Sequence, residues 1–162
     1  MMKKHHSYEE ARSKLQAYCA YQERCHKEVR SKLLELGIWG DDVDAIISDL
    51  IEDNFLNELR YALAFAGGKF RVKKWGKNRI INALKRNQIS AYCIKKAIQS
   101  ELPDLDYNQT LEQVIRKKDN LLKESNPFKR KQKLAKYTIE KGFESHLVWE
   151  MLNQLFPYSK RY

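Results

Sequence analysis

Basic residues are concentrated in one stretch near the middle of the chain, residues 69–89. The stretch contains eight lysines and arginines and no acidic residue. These residues are Lys69, Arg71, Lys73, Lys74, Lys77, Arg79, Lys85 and Arg86. Ammonium and guanidinium groups attract phosphates and carboxylates, so this composition predicts a surface that binds a polyanion.

A second basic group follows later in the chain, between residues 116 and 133. Its members are Arg116, Lys117, Lys118, Lys129, Arg130, Lys131 and Lys133. A single surface lysine is often only a solvated charge, but runs of like charge repel each other and favour an oppositely charged partner. Trp75, inside the first group, is a candidate for stacking on bases or on partner side chains.

Residue patterns that support catalysis or metal binding were not found in the sequence. Cys19, Cys25 and Cys93 are odd in number and far apart, without CxxC or Cys/His ligand spacing. The chain has no Gly-rich phosphate loop, no HExxH and no GxSxG. We therefore expect a protein that is not an enzyme, has no catalytic residues and has no metal site.

Composition narrows the class of protein further. The formal net charge is +10, and hydrophobic residues make up 43% of the chain, enough for a core. Six glycines and three prolines are few, which favours helices. The sequence shows neither the apolar run of a signal peptide nor a stretch of ~20 apolar residues, so a cytoplasmic protein without membrane contact is expected.

Helices must position the basic groups. In a helix from Gly76 to about Asn87, Ile80, Ile81 and Leu84 share one face, and Arg79, Asn82 and Arg86 share the opposite face. Ser7, Asn57, Ser90 and Asn126 are predicted N-terminal caps, and Asp41 or Asp42 is expected to cap an acidic helix over 41–53.

Gly67 and Gly68 are expected to interrupt the helix that starts near Asn57, as a kink or a close backbone contact. Phe128 and Ile139 are expected to face inward, and Tyr61, Phe65 and Val72 to form a second apolar stripe.

Three junctions between helices repeat along the chain. Their hydrophobic residues, Ile38, Ile89 and Phe143, are 51 and 54 residues apart, and further apolar residues follow each at +5, +8 and +9. A period near 50 with helical content predicts three tandem units. The predicted fold is all-α, with three-helix repeats at 1–55, 56–103 (the basic one) and 104–162, stacked into an elongated, curved, right-handed-type rod.

Five short segments of the chain carry a family resemblance. They are Glu28-Val29-Arg30-Ser31-Lys32-Leu33, Asp53-Asn54-Phe55-Leu56-Asn57-Glu58, Arg60-Tyr61-Ala62, Trp75-Gly76-Lys77-Asn78-Arg79-Ile80 with Leu84 and Ile89, and Lys141-Gly142-Phe143. With these segments the chain resembles the RecX family of bacterial regulatory proteins. Their order and spacing cover nearly the whole chain. Asn87-Gln88 stands where the family usually has a basic residue and Gly, so this helix end is expected to be built differently. Asn57-Glu58 stands where the family usually has an Asp-Glu pair.

The resemblance implies three tandem three-helix repeats and a role as modulator of the RecA recombinase. Family members lie in the groove of the RecA filament on single-stranded DNA. There they restrain recombinase activity, ATP hydrolysis and the coprotease action of the SOS response. The resemblance further implies a monomer without a cofactor, with weaker, non-specific binding to single- or double-stranded DNA phosphates. Charge polarised between the acidic helix and the basic groups could set the direction of binding.

Two other classes of function remain open at the level of sequence. The first is a helical protein that binds DNA directly through the basic helix of the second repeat, although the three repeats differ too much in charge for one repeated mode of base reading. The second is a helical scaffold that binds only protein, which the two basic groups disfavour.

Overall fold

The computed structural model describes residues 5–158, and all regular secondary structure in this range is α-helical. The nine helices of this range are α1 Tyr8–Tyr21, α2 His26–Glu35, α3 Asp41–Glu52, α4 Glu58–Arg71, α5 Lys77–Arg86, α6 Ala91–Glu101, α7 Asp104–Leu121, α8 Pro127–Glu140 and α9 Ser145–Leu155. The prediction of an all-α fold is confirmed.

The helices pack in consecutive groups of three: α1–α3, α4–α6 and α7–α9. We call these groups the first, second and third repeats and retain the division of the chain at residues 55 and 103 as a proposal. The accessible surface is 10746 Å², whereas a compact monomer of this mass would expose about 8500 Å². The excess surface is typical of an elongated arrangement.

The second helix of each repeat ends in the same way. Gly37, Gln88 and Gly142 all have positive φ, at 82°, 60° and 102°. The amide of the next residue then donates to the carbonyl five positions earlier: Ile38 to Leu33, Ile89 to Leu84 and Phe143 to Thr138. This is the Schellman arrangement. The expectation that the Asn87-Gln88 end is built differently is therefore wrong, because Gln88 adopts the left-handed conformation that glycine adopts in the other two repeats.

Four of the five predicted helix caps are confirmed. The side chains of Ser7, Asn57, Ser90 and Asn126 each accept a hydrogen bond from an amide in the first turn of the following helix. The exception is α3, whose N-cap is Gly40 with φ 58° and ψ −135°. Only glycine tolerates this backbone readily, so Asp41 and Asp42 become the first helical residues. There their negative charges interact favourably with the positive end of the helix dipole.

Gly67 and Gly68 do not interrupt α4, which runs unbroken from Glu58 to Arg71. Gly67 instead makes room for side chains, since a Cβ there would collide with the Arg71 guanidinium and the Glu101 carboxylate. A Cβ at Gly68 would meet nothing within 4 Å. The predicted interruption of this helix is therefore wrong.

Three predicted inward residues lie on the surface. Val72 is 76% exposed, Phe128 56% and Ile139 36%. Val72 follows the last turn of α4, and the other two occupy the end turns of α8, whose buried face runs from Lys131 to Thr138. The helical period assigned a face to these residues, but a helix end can extend beyond the elements that cover its middle.

The buried side chains form two separate clusters. One cluster lies within the first repeat, around Leu15, Leu33 and Ile46. The other is continuous through α4–α9. In it the ring of Tyr107 from α7 lies between the rings of Phe70 and Phe143, at centroid distances of 5.9 and 5.2 Å. The second and third repeats therefore share one core.

Candidate functional site

Helix α5 carries the central part of the first basic group. Ile80 and Leu84 are buried, and Arg79, Asn82 and Arg86 are exposed on the other side, as predicted. Asn78 and Lys85 extend the exposed face. The helix is thus held by its apolar face while five polar side chains point away from the core.

Groups from the third repeat hold the N-terminus of α5. The helix has no side-chain cap of its own. The Gly76 amide donates to the Lys141 carbonyl at 2.8 Å, and the Asn78 amide donates to the Gly142 carbonyl at 2.9 Å. Between them, the Lys77 amide donates to the hydroxyl of Tyr107 at 3.0 Å. Amides of a first helical turn have no acceptor within the helix, so these contacts satisfy them and fix α5 against the third repeat.

Two glycines make this attachment sterically possible. A Cβ on Gly76 would collide with the backbone of Gly142 and Phe143. A Cβ on Gly142 would collide with Arg79, and its φ of 102° is itself unfavourable for other residues. The sequence analysis did not predict that Gly76 and Gly142 contact each other. The available signal was that both glycines belong to segments that resemble the RecX family.

The exposed face of α5 forms one side of an open groove with a volume of about 600 Å³. The other side comes from the end of α8 and the turn that follows it. The groove is lined by Asn78, Arg79, Asn82, Lys85, Arg86, Ile139, Glu140 and Gly142. Within residues 5–158, the side chains of Arg79, Lys85 and Arg86 form no ion pair. The groove therefore presents three cations whose charge is available to a partner.

Trp75 lies beside the groove and already has stacking partners. The Arg79 guanidinium carbon is 4.2 Å from the centre of its ring, and Lys69 Nζ is 4.9 Å from it. Phe65 contacts the half-buried ring edge-on at 6.5 Å. The cation–π contact with Trp75 restrains the side chain of Arg79, which also lines the groove. A role for Trp75 in stacking on a partner stays a prediction, and in this structure it would require displacing one of the two cations.

The remaining members of the first basic group are held to different degrees. Arg71 pairs with Glu101 at 2.8 Å. Lys77 Nζ lies 4.5 Å from the Tyr107 ring centre and 3.8 Å from Asp104. Lys73 is exposed and Lys74 half-buried, in the turn between α4 and α5. This turn continues the positive charge of the groove toward α4.

Most of the second basic group has partners within the third repeat. Arg116 pairs with Glu112 at 2.9 Å, Lys133 pairs with Glu124 at 2.9 Å, and Lys118 lies 4.6 Å from the Tyr137 ring centre. Lys117 and Lys129 are exposed, and their side chains have no ion-pair partner within residues 5–158. These two lysines are the members of the group whose charge is most accessible.

Arg130 and Lys131 hold the third repeat together. Arg130 bonds to the Asp119 carboxylate at 2.6 Å and to the carbonyls of Leu122 and Glu124 at 3.2 and 2.7 Å. Lys131 is only 3% exposed and donates to the Phe156 carbonyl at 3.1 Å. Burial lowers the pKa of the Lys131 amine from its usual value. Because their donors are already used, we leave both residues out of the proposed binding surface.

Among residues 5–158, no helix is long and apolar enough to cross a membrane. Residues 5–158 contain no group of three or more His, Cys, Asp or Glu side chains that could hold a metal ion.

The second repeat matches a family model. Residues 57–98 match the model described as RecX, second three-helix domain. This range contains α4, α5 and the first eight residues of α6, and so includes the helix that forms one side of the groove.

Curated relatives extend the match to most of the chain. The regulatory protein RecX of Clostridium perfringens strain 13 is 34% identical over 123 residues, which are 75% of this chain and 57% of that protein. The regulatory protein RecX of Thermotoga maritima is 26% identical over 135 residues, which are 83% of this chain and 78% of that protein. The chain thus spans just over half the length of its Clostridium relative.

A solved structure shows the same fold. The crystal structure of RecX from Lactobacillus salivarius superposes with a TM-score of 0.81 at 22% identity, covering 91% of this chain and 96% of that one. This likeness concerns the fold. The family model over the second repeat and the relatives that match in sequence place the chain in the RecX family.

Proposed function

We propose that this chain is a regulator of the RecA recombinase. It binds the RecA–single-stranded-DNA filament in the filament's groove and inhibits recombinase, ATPase and SOS coprotease activity. Its relatives are named regulatory protein RecX, and the family resemblance implies RecA as the partner. The observation that carries the proposal is the α5 groove, where Arg79, Lys85 and Arg86 lie exposed without an acidic partner in residues 5–158.

Inhibition follows if binding favours one state of the filament. A ligand shifts an equilibrium only by the difference between its affinities for the two states. An elongated helical chain can contact several neighbouring RecA subunits at once, and such contacts are made only when those subunits keep their filament spacing. Binding would then oppose the rearrangements that accompany ATP hydrolysis and strand exchange.

Charge along the molecule supports a defined direction of binding. Asp41, Asp42, Glu52 and Asp53 of the first repeat are exposed, whereas the α5 groove of the second repeat is cationic. Opposite charges at separate places on an elongated molecule orient it in the field of its partner. We propose that the groove faces the filament and that α3 points toward its basic surfaces. We further propose that the chain acts as a monomer and without a cofactor.

The test is single-stranded-DNA-dependent ATP hydrolysis by the cognate RecA, titrated with this protein below and at equal stoichiometry. The variant R79E/K85E/R86E reverses three groove charges, and K14E/K95E/K136E reverses three exposed lysines elsewhere. Because both variants have the same net charge, a difference between them reports position. We expect the groove variant to need at least about tenfold more protein for half-inhibition, and the control to resemble wild type.

The same titration at rising salt tests the electrostatic basis of binding. Attraction between exposed charges and a polyanion weakens as salt is added, so inhibition should require more protein. Inhibition that hardly changes with salt would contradict the electrostatic account. If wild type leaves ATP hydrolysis unchanged but retards bare DNA in a gel, the chain is instead a direct DNA-binding protein.

A further inference from the structure

The groove beside α5 is lined by more than cations. Asn78 and Asn82 contribute amides, Glu140 contributes a carboxylate and Ile139 an apolar side chain. Among residues 5–158, the side chains of Asn78, Asn82 and Glu140 make no hydrogen bond, although all three residues are exposed. The groove thus offers donors, acceptors and an apolar contact next to its positive charge.

This mixture suits a peptide better than a nucleic-acid backbone. Phosphodiester oxygens only accept hydrogen bonds, so they would leave the amide oxygens of Asn78 and Asn82 without a donor. A peptide backbone carries both N–H donors and C=O acceptors, and the Asn side chain can bond to both.

The spacing of the two asparagines fits an extended chain. Asn78 and Asn82 are four positions apart on α5, a rise of about 6 Å along the helix. In an extended peptide, residues that project to the same side are about 6.6 Å apart. Successive same-side peptide units could therefore meet the two amides in turn.

The charges of the groove determine which peptide it fits. Arg79, Lys85 and Arg86 outnumber Glu140, so the net charge of the lining is positive. Arg79 is oriented by its contact with Trp75, which lowers the entropy lost on pairing with a carboxylate. Ile139, at 36% exposure, adds an apolar contact on the opposite side.

We propose that the α5 groove binds an extended, acidic segment of a partner protein. Asn78 and Asn82 bond to the backbone of that segment, and Arg79, Lys85 and Arg86 pair with its Asp and Glu side chains. The inference rests on the proposed function, since it identifies the protein component of the filament as the occupant of the groove. DNA phosphates would then be contacted by other basic residues, such as Lys117 and Lys129.

The probe is a fluorescein-labelled peptide of alternating Glu and Thr, measured by fluorescence anisotropy with the full chain. About ten residues suffice to span the ~12 Å from residue 78 to residue 86 of α5. A peptide with Gln in place of Glu controls for charge, and labelled oligothymidylate represents nucleic acid. The central variant is N78A/N82A, which keeps the charge; N120A/N153A alters two exposed asparagines outside the groove.

We expect wild type to bind the Glu peptide and not the Gln peptide. N78A/N82A should weaken peptide binding at least about fivefold and leave oligothymidylate binding unchanged, whereas N120A/N153A should change neither. Thermal unfolding followed by circular dichroism checks that each variant is folded. Wild type that fails to bind the Glu peptide overturns the proposal, as does N78A/N82A that retains peptide binding or weakens oligothymidylate binding equally.

The two proposals can fail separately. If wild type inhibits RecA ATP hydrolysis but does not bind the Glu peptide, the groove assignment is wrong and the regulatory function stands. If the peptide binds as expected while RecA is unaffected, the groove recognises acidic segments of a different partner and the proposed function is wrong.

Discussion

At Gly76 and Gly142 the backbones of the second and third repeats come into direct contact, with the Gly76 amide donating to the carbonyl of Lys141 at 2.8 Å. Neither position has room for a Cβ, because backbone atoms, rather than flexible side-chain ends, occupy most of the space. The contact also determines where Arg79 begins to project into the groove. A residue without a side chain thus decides where a side chain of the candidate site lies.

Replacing Gly142 with Ala should destabilise the protein. The positive φ and the collision with Arg79 each add strain, so we expect a loss of about 1–3 kcal/mol in the free energy of unfolding. Urea denaturation followed by circular dichroism measures this loss. Gly68→Ala is the matched control, because its Cβ would enter open space in the interior of α4; it should stabilise by roughly 0.5–1 kcal/mol. Equal effects of the two changes would contradict the close contact.

Helix α5 begins in a way that its own sequence does not favour. Its N-cap is Gly76 without a side-chain hydrogen bond, and its first turn has basic residues and no acid. A positive charge at a helix N-terminus opposes the helix dipole. The structure compensates with acceptors from the third repeat: the hydroxyl of Tyr107 and the carbonyls of Lys141 and Gly142. The most basic helix of the candidate site therefore depends on tertiary contacts for its first turn.

Tyr107→Phe tests this dependence. The hydroxyl accepts from the Lys77 amide and donates to the Glu144 carboxylate, and burial with that hydrogen bond raises the pKa of the phenol. Its removal leaves the amide and the carboxylate without this partner, so we expect a loss of about 1–3 kcal/mol in unfolding free energy.

Hydrogen exchange of the Lys77 amide should also become faster in Tyr107→Phe, because its acceptor is gone. Tyr92→Phe serves as control, since Tyr92 is 64% exposed and its hydroxyl makes no hydrogen bond within residues 5–158. It should change stability by less than about 0.5 kcal/mol. Unchanged protection of Lys77 in Tyr107→Phe would show that the helix start does not rely on the phenol.

At the scale of the whole molecule, the three repeats are not equivalent. The first repeat has its own buried cluster, whereas the second and third share one through Phe70, Tyr107 and Phe143. The first repeat is tied to the second partly by polar contacts, such as Lys27 Nζ to the Arg86 carbonyl at 3.0 Å, and by Cys25, which joins the shared core. In repeat proteins, stability is approximately a sum of such unit and interface terms.

This arrangement predicts that damage to the first repeat stays local. Leu33→Ala empties part of the first cluster and should cost about 2–5 kcal/mol there. Hydrogen exchange with mass spectrometry should then show faster exchange in α1–α3 and little change in α7–α9. Leu84→Ala, in the shared core, is the counterpart and should speed exchange in α4–α9 together. Uniform acceleration by Leu33→Ala would mean that the chain unfolds as one unit.

The sequence determined the features that depend on neighbouring residues. The caps at Ser7, Asn57, Ser90 and Asn126 and the two faces of α5 follow from interactions over three or four positions. The repeat period can be counted directly along the sequence. Gln88 stands where the family usually has Gly, yet the helix ends there in the same turn. Local hydrogen bonds hold Gln88 in the left-handed conformation. The basic character of the candidate site could also be predicted, because composition is a property of the sequence alone.

Only the tertiary structure decided which charges are available and what faces them. Lys85 and Lys131 are the same type of residue, and the sequence does not distinguish them. In the structure Lys85 lines the groove, whereas Lys131 is buried against the Phe156 carbonyl. Asn78 and Glu140 are 62 positions apart and meet only because Gly76 and Gly142 touch. Contacts between residues so distant in sequence depend on how helices pack against one another, and the helical period carries no information about that packing.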